Sequence, residues 1–221
     1  MNKLKIKNKN INDILLNIQN SILSVDEQLL YDIAYENRLG RNGKKFNKSL
    51  DIKSGTSWDY HKHLIVEDQN GNHSGWPDCS MLVDYKNIYD ERINRNETIR
   101  HCEDLTLELG ASNNSLACYY PKNGYIGWHH NANAHGYNVL FTYNDCNGGY
   151  FEEYDIKSDK YIRHKDGIGW TAKTGYFGSH REPEKKVWHC AANHKGRRIT
   201  ISYIIDQYDM WMDMIDELDN N

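Results

Sequence analysis

Apolar side chains recur at helical spacing in the first part of the chain. Within Ile11–Leu39 they lie three or four positions apart, which predicts amphipathic helices. The apolar positions are Ile14, Leu15, Ile18, Ile22, Leu29, Leu30 and Ile33. Ser24 followed by Glu27 predicts a capping box that starts a second helix. Gly40 and the pair Asn42-Gly43 predict the end of that helix.

The next segments predict a strand and two further helices. The run His63–Val66 is short and rich in β-branched residues, which predicts a strand, and Asn70-Gly71 predicts a turn after it. Thr98–Leu109 predicts a helix that ends at Gly110. The acidic tail Asp206–Leu218 returns to helical spacing.

After Ser112 the pattern changes to short runs of β-branched and aromatic residues separated by turn residues. The runs are Leu116–Tyr120, Tyr137–Tyr143, Gly149–Tyr154, Tyr161–His164, Thr174–Phe177, Lys186–Cys190 and Arg198–Ile204. Seven short strands at this spacing predict a sandwich or jelly roll. We therefore expect an α+β fold in a single domain. It has a helical and mixed part over about residues 1–111, a β core over about 112–205 and a closing helix over about 206–219.

Composition narrows the function classes. The chain has 221 residues, with 27 basic and 31 acidic side chains and a formal net charge of −4. This near-neutral balance argues against a nucleic-acid partner, which usually requires a basic footprint. No apolar run approaches the ~18–20 residues of a membrane span. The cysteine count of five is odd, which favours reduced thiols and a cytoplasmic location. Nothing in the sequence indicates an oligomeric state.

Candidate chemistry concentrates on histidine and arginine. His129, His130 and His135 lie within eight residues, and His189 lies in a later strand-like run. Arg198 opens a run in which Thr200 and Ser202 follow at alternate positions, and in a strand all three project from one face. A buried arginine is costly unless it meets an anion. With two hydroxyls beside it, this pattern predicts a carboxylate-binding face.

Four segments in order carry a resemblance to a known family. They are Tyr120-Pro121 with Gly124 and His129, Tyr143-Asn144-Asp145 with Gly148-Gly149, Gly175-Tyr176-Phe177, and His189 with Gly196-Arg197-Arg198. Together they resemble the Fe(II)- and 2-oxoglutarate-dependent oxygenases, in the prolyl 4-hydroxylase-like branch that includes phage-encoded relatives. The resemblance covers about residues 116–204. It implies a double-stranded β-helix (jelly roll) core.

The resemblance also implies an activity and a set of site residues. The activity is hydroxylation of an unactivated C–H bond with Fe(II), 2-oxoglutarate and O2, with ascorbate as an optional reductant. The expected substrate is a prolyl or other amino-acid side chain in a peptide or small molecule, in the host cytoplasm if the chain is phage-encoded. Carried over residue by residue, the metal ligands are His129, Asn131 and His189, and the 2-oxoglutarate residues are Arg198, Tyr120, Thr200 and Ser202. Arg197 is expected to face the other side of its strand.

Asn131 departs from the family pattern, which has Asp or Glu at that position. An amide oxygen is neutral and is a poorer ligand for Fe(II) than a carboxylate. Three alternatives stay open: Asn131 coordinates weakly or holds a metal-bound water; His135 or a remote acid completes the site; or an anion does. A shifted register, His130-Asn131-Ala132, resembles iron-dependent halogenases, where chloride replaces the carboxylate. Outside enzymes, the alternative is a non-catalytic jelly-roll binding protein.

Overall fold

The computed structural model describes residues 1–38, 51–132, 134–179 and 181–219. Its helices are α1 Lys9–Leu23, α2 Glu27–Glu36, α3 Ile52–Gly55, α4 Trp58–Gln69, α5 Arg95–Glu108 and α6 Tyr208–Asp219. Its strands are β1 Asn2–Leu4, β2 Ser80–Met81, β3 Val83–Asp84, β4 Asn113–Tyr120, β5 Gly124–His129, β6 Gly136–Asn144, β7 Gly149–Asp155, β8 Lys160–Lys165, β9 Gly169–Phe177, β10 Trp188–Asn193 and β11 Arg198–Ile205.

The strands form two antiparallel sheets. One has the order β1-β9-β6-β11-β4-β3 and the other the order β2-β5-β10-β7-β8. Among the eight strands β4 to β11, the first pairs with the last, the second with the seventh, the third with the sixth and the two middle strands with each other. This is one long antiparallel ribbon rolled across two sheets, the pairing of a jelly roll. The predicted α+β fold with a double-stranded β-helix core is confirmed.

Helices cover the outer face of the six-stranded sheet. The buried stripe of α1 consists of Ile11, Leu15, Ile18 and Ile22, and the Asn8 side chain caps the helix by accepting a hydrogen bond from the Ile11 amide. This helix packs against α5, which packs against β4. The outward-facing side chains of the strands are apolar and are covered by these helices. The side chains at alternate positions point inward, where the candidate site lies.

Two local predictions are wrong. The segment His63–Val66 lies inside α4 and is not a strand. The Ser57 side chain accepts a hydrogen bond from the Tyr60 amide and starts a helix whose buried positions, His61 and Leu64, are three residues apart. The capped helix start at Ser57 and the burial of His61 and Leu64 outweigh the local β propensity of His63–Val66. At the second helix, the N-cap is Asp26 rather than Ser24.

The seven predicted runs all fall on strands, and Lys186–Cys190 begins two residues before β10. The predicted helix over Thr98–Leu109 and the tail helix are also observed, as α5 and α6. The strand β5 was not among the predictions, because Gly124 and Gly127 break its pattern. A Cβ at Gly127 would lie 2.2 Å from the Cys79 sulfur, so close packing there requires glycine. The predicted stop at Gly40 and Asn42-Gly43 lies outside the described residues.

Two of the composition-based expectations can be compared with the structure. Over residues 1–38, 51–132, 134–179 and 181–219, no helix combines the length and apolar character that crossing a bilayer requires. All five cysteines have reduced thiols, and four of them are buried.

His61 is a buried histidine between the helices and the five-stranded sheet. Its ring stacks on Trp128 with centroids 4.4 Å apart, and its Nδ1 lies 3.0 Å from the Tyr161 hydroxyl. Burial lowers the pKa of His61 to about 3. Between the ordinary pKa of 6.5 and this value, the unfolded chain binds a proton that the folded chain excludes. The folded state is therefore destabilised progressively as the pH falls below 6.5.

Replacing His61 should flatten the acid side of the stability profile. Each pH unit in this window costs about 1.4 kcal/mol per histidine, so between pH 7 and 5 the wild type should lose about 2 kcal/mol more than His61→Phe. Urea unfolding at the two pH values measures the difference. His63→Gln is the control because His63 is exposed on the same helix. Equal losses in the wild type and His61→Phe would contradict this account.

Candidate active site

A cavity of about 190 Å³ lies between the two sheets of the jelly roll. A cavity of this volume holds several waters and suits a small molecule. The structure brings all seven residues predicted from the sequence to the wall of this one cavity. They are Tyr120, His129, Asn131, His189, Arg198, Thr200 and Ser202.

His129 and His189 form a cross-strand pair at one end of the cavity. They lie directly opposite each other where β5 pairs with β10, and their ring centroids are 4.1 Å apart. The β-sheet register thus brings together two residues that are 60 positions apart in the chain. Phe151 stacks on the His189 ring at 5.3 Å and Phe177 meets it edge-on at 5.2 Å, so its orientation is held on two sides.

Backbone carbonyls determine which nitrogen of each ring carries the proton. The Nδ1 of His129 lies 2.8 Å from the Gly127 carbonyl oxygen, and the Nδ1 of His189 lies 2.8 Å from the Val187 carbonyl oxygen. A carbonyl only accepts, so both Nδ1 atoms donate and both Nε2 atoms keep a lone pair. Burial also lowers the pKa of His129 well below its ordinary value and that of His189 to about 4. Both rings are therefore neutral near pH 7 and have the tautomer that binds a metal through Nε2.

A second group of metal-binding residue types lies nearby. The ligand atoms of Asp68, His73 and His130 all lie within 4.8 Å of one another. Here, however, backbone amides donate to the imidazoles, whereas at His129 and His189 backbone carbonyls accept from them. The Gly75 amide donates to Nδ1 of His73 at 3.0 Å, and the Ala132 amide donates to Nδ1 of His130 at 3.3 Å. These bonds place the remaining proton on Nε2, where it blocks coordination.

The Asp68 carboxylate already has two partners. One of its oxygens lies 3.1 Å from Nε2 of His130, and the other accepts from the Lys186 ammonium at 2.8 Å. The group is therefore a hydrogen-bonded network in which an imidazole N–H and an ammonium share one carboxylate. His130 is fully buried in it and is not part of the cavity wall. The register that uses His130 as a ligand gains no support from this placement.

The structure bears on the third metal ligand, for which the sequence leaves several alternatives open. Asn131 is half-buried, lies just after β5 and lines the cavity; the Ala134 amide donates to its carbonyl at 2.7 Å in the following turn. Within the described ranges, no group of three histidine, cysteine or acidic residues with ligand atoms within 4.8 Å of one another includes His129 or His189. His135, one of the alternatives, is exposed. Asn131 lines the same cavity as the two histidines, and its role as the third ligand stays a prediction.

Arg198 occupies the other end of the cavity and is completely buried. Its Nε donates to Asp166 at 2.8 Å and its Nη1 donates to the Thr200 hydroxyl at 2.6 Å, while Nη2 has no partner among the described residues. The guanidinium carbon lies 4.7 Å from the Tyr120 ring centroid. Because a guanidinium only donates, the Thr200 oxygen accepts and its own proton stays available for a cavity ligand. This end presents donors suited to an anion.

Asp166 is a site residue that the sequence analysis missed. It is buried and bridges two cations, because its other oxygen accepts from the Lys173 ammonium at 2.8 Å. Burial alone would raise the pKa of Asp166, but the charges of Arg198 and Lys173 outweigh it and hold the pKa below its ordinary value. The anion expected beside Arg198 is thus supplied in part by the chain itself. The inward position of Lys173 follows from strand alternation, whereas Asp166 lies in a loop.

The two neighbouring arginines face opposite ways, as the alternation predicts. Arg197 is partly exposed and pairs with Asp145 at 2.9 Å, outside the cavity.

Arg198 lies beside Gly149, where a Cβ would come within 3.0 Å of its Cδ. Gly149 pairs with Asn193, four residues along β10 from His189. At ~3.3 Å per residue, the two ends of the cavity are therefore about 13 Å apart along the strand.

Comparisons with known proteins reach only distant similarity. No protein-family model and no curated protein matches the chain. Among solved structures, it is similar to a Pseudomonas putida prolyl-4-hydroxylase at 10% identity, covering 66% of this chain and 84% of that one, with a TM-score of 0.33. It is also similar to a viral collagen prolyl hydroxylase from Paramecium Bursaria Chlorella virus-1 in a 2OG complex, at 13% identity and 75% and 98% coverage, with a TM-score of 0.31. A cupin domain from Bordetella pertussis has 13% identity, 43% and 85% coverage and a TM-score of 0.27. These values assign no family and no activity.

The opposite tautomers give a direct test of which histidines bind metal. His189→Ala should abolish binding of Mn(II), measured by anaerobic titration calorimetry, because it removes one of two available Nε2 lone pairs. His130→Ala is the matched control from the neighbouring network and should change the affinity less than about threefold, under 1 kcal/mol. Loss of binding in His130→Ala with retention in His189→Ala would move the metal to the Asp68 network.

Proposed function

We propose that this protein is an Fe(II)- and 2-oxoglutarate-dependent oxygenase that hydroxylates an unactivated C–H bond. One observation carries the proposal: a single cavity between the sheets is lined at one end by two imidazoles whose Nδ1 atoms donate to the backbone and whose Nε2 atoms keep lone pairs. At the other end it is lined by Arg198, whose Nη2 has no partner among the described residues. A metal ion and an anionic group are the partners that these two ends lack. One molecule with a chelating end and a carboxylate end satisfies both.

The anion end supports 2-oxoglutarate in particular. In this proposal, Nη2 of Arg198 and the hydroxyl of Thr200 donate to the far carboxylate of this co-substrate, because Nη2 is buried without a partner among the described residues and the Thr200 oxygen already accepts from Nη1. In this proposal, the end of the Arg198 side chain and a five-carbon dicarboxylate together span the separation of about 13 Å along β10. Tyr120 lies against the guanidinium and keeps this end closed to water.

The histidine end supports a divalent iron site. His129 and His189 would hold Fe(II) through Nε2, with Asn131 or a diffusible ligand beside them. Bound there, Fe(II) with O2 supplies the oxidation of a C–H bond, coupled to conversion of 2-oxoglutarate to succinate and CO2. The chain's own contribution is to orient the two rings through the Gly127 and Val187 carbonyls and to surround them with apolar side chains such as Phe151 and Phe177.

For the substrate, we propose a prolyl or other amino-acid side chain in a peptide or small molecule. This choice rests on the resemblance of the sequence motifs to prolyl 4-hydroxylases. The cavity wall is compatible with it, because Trp76 and Pro77 supply apolar contact while Asn113 and Ser115 supply hydrogen-bonding groups. Trp76 is 39% exposed, which places it at the solvent side of the cavity.

A second candidate, halogenation, is favoured by one observation. Among the residues that the structure describes, no carboxylate groups with His129 and His189, and the side chain two residues after His129 is the neutral Asn131. A neutral side chain there leaves on the metal a positive charge that a bound halide would neutralise. In this version of the site the register is His129 with Asn131, because His130 is committed to Asp68.

The two arginines give a matched test of the proposed activity. Arg198→Gln should raise the 2-oxoglutarate concentration needed for succinate formation by a hundredfold or more, because breaking a buried charge pair costs roughly 3–5 kcal/mol. Arg197→Gln removes the same group from the outer face and should have little effect. Succinate is measured against 2-oxoglutarate concentration with Fe(II) present.

Two outcomes would contradict the proposal in different ways. Equal effects of the two arginine variants would mean that the guanidinium in the cavity does not bind the co-substrate. Binding of 2-oxoglutarate by the wild type without any Fe(II)-dependent turnover, with or without chloride and across candidate substrates, would support a non-catalytic binding protein.

Asn131→Asp tests the third metal position. The substitution is nearly isosteric and adds a negative ligand, so Fe(II) affinity should rise about tenfold or more, at least 1.4 kcal/mol. If the natural site holds chloride, the same change should suppress a halogenated product and leave a hydroxylated one. Calorimetry and product mass, each with and without chloride, measure both effects. Unchanged metal affinity would show that Asn131 lies away from the ion.

A further inference from the structure

Three buried charges form a connected group beneath the cavity. Lys173 and Arg198 each donate to a different oxygen of Asp166, both at 2.8 Å, and all three side chains are at most 2% exposed. We call these three residues the buried triad. With two cations and one carboxylate, its net charge is +1.

The triad dominates the electrostatics of the cavity. Among the described residues that line it, Arg198 is the sole arginine, lysine or acidic side chain. Water is excluded from this end, so a charge mismatch costs far more than it would at a surface. A ligand group of charge −1 at Nη2 of Arg198 makes the buried group neutral overall.

Asp166 also controls which edge of Arg198 meets the ligand. It occupies Nε, and Thr200 accepts from Nη1, so the unpaired donor is Nη2. Asp166 itself is not part of the cavity wall. The absence of a side chain at Gly149 leaves space for this arrangement, because a Cβ there would lie 2.8 Å from the Asp166 carboxylate. Asp166 therefore acts through Arg198, as a positioning residue.

We infer that Asp166 sets the charge of the co-substrate tail that the cavity accepts, selecting a tail with one negative charge over a neutral or a doubly charged tail. This inference rests on the proposed function. That function names Arg198 as the residue that binds the anion, and the inference explains why Arg198 prefers a tail with one negative charge. Without Asp166, the buried group carries +2 and matches a dianion. Without Lys173, it carries no net charge and no longer favours an anion over a neutral tail.

Three 2-oxo acids of equal chain length probe the inference. Their tails are a carboxamide, a carboxylate and a phosphonate, with charges of 0, −1 and −2 at mildly alkaline pH. Binding to the Mn(II)-loaded protein is measured anaerobically by calorimetry. The wild type should bind the carboxylate at least about tenfold more tightly than either other tail, a difference of 1.4 kcal/mol or more.

The variants should move this preference in opposite directions. In Asp166→Asn, the carboxylate-over-phosphonate ratio should fall at least about tenfold, and in Lys173→Met the carboxylate-over-carboxamide ratio should fall by a similar factor. The double variant restores a net charge of +1 and should recover the wild-type order of the three tails. A purely structural role would weaken all three ligands together and would not be rescued by the second substitution.

Asp145→Asn is the matched control, because Asp145 pairs with Arg197 outside the cavity. It should leave both ratios unchanged. Ratios in Asp166→Asn and Lys173→Met that stay within about twofold of the wild type would overturn the inference while leaving the proposed function intact. A wild type that binds none of the three 2-oxo acids would instead overturn the proposed function, and the inference with it.

Discussion

A guanidinium enclosed in the jelly roll is the constraint that organises its interior. Water does not reach Arg198, so the chain must satisfy its donors and charge from within. Asp166 takes one edge, Thr200 takes another, and Lys173 holds the opposite oxygen of Asp166. What remains unsatisfied is one edge and one positive charge, and we propose that a ligand in the cavity meets both. Gly149 is small because this group fills the space beside it.

The other end of the cavity depends on hydrogen bonds made by backbone carbonyls. The Gly127 and Val187 carbonyls accept hydrogen bonds from Nδ1–H of His129 and His189 and leave Nε2 with its lone pair. Backbone amides instead donate to Nδ1 of His73 and His130. Neighbouring histidines in one short segment therefore have different chemistry. Counting residue types in space would favour the group around Asp68, but the direction of each hydrogen bond favours the cross-strand pair.

Much of the site could be predicted from the sequence where the deciding feature is local. Alternation along one strand places Arg198 and Thr200 on the same face, as observed in β11. Arg197 lies just before β11 and points the other way, to Asp145. Asp166 could not be predicted in this way, because a loop residue meets Arg198 only through the fold. The error at His63–Val66 has a similar cause: its β-branched side chains favour a strand, but the capped start at residue 57 and burial across the helix decide otherwise.

Nitrogen-15 NMR of the histidine side chains tests the central claim most directly, because it reports which ring nitrogen carries the proton. In the metal-free protein near neutral pH, His129 and His189 should be the Nδ1–H tautomer, while His73 and His130 should be the Nε2–H tautomer. Addition of Zn(II), a diamagnetic ion, should then shift the Nε2 resonances of the first pair alone. Finding the Nε2–H tautomer at His129 or His189, or a Zn(II) shift confined to His73 and His130, would contradict the account.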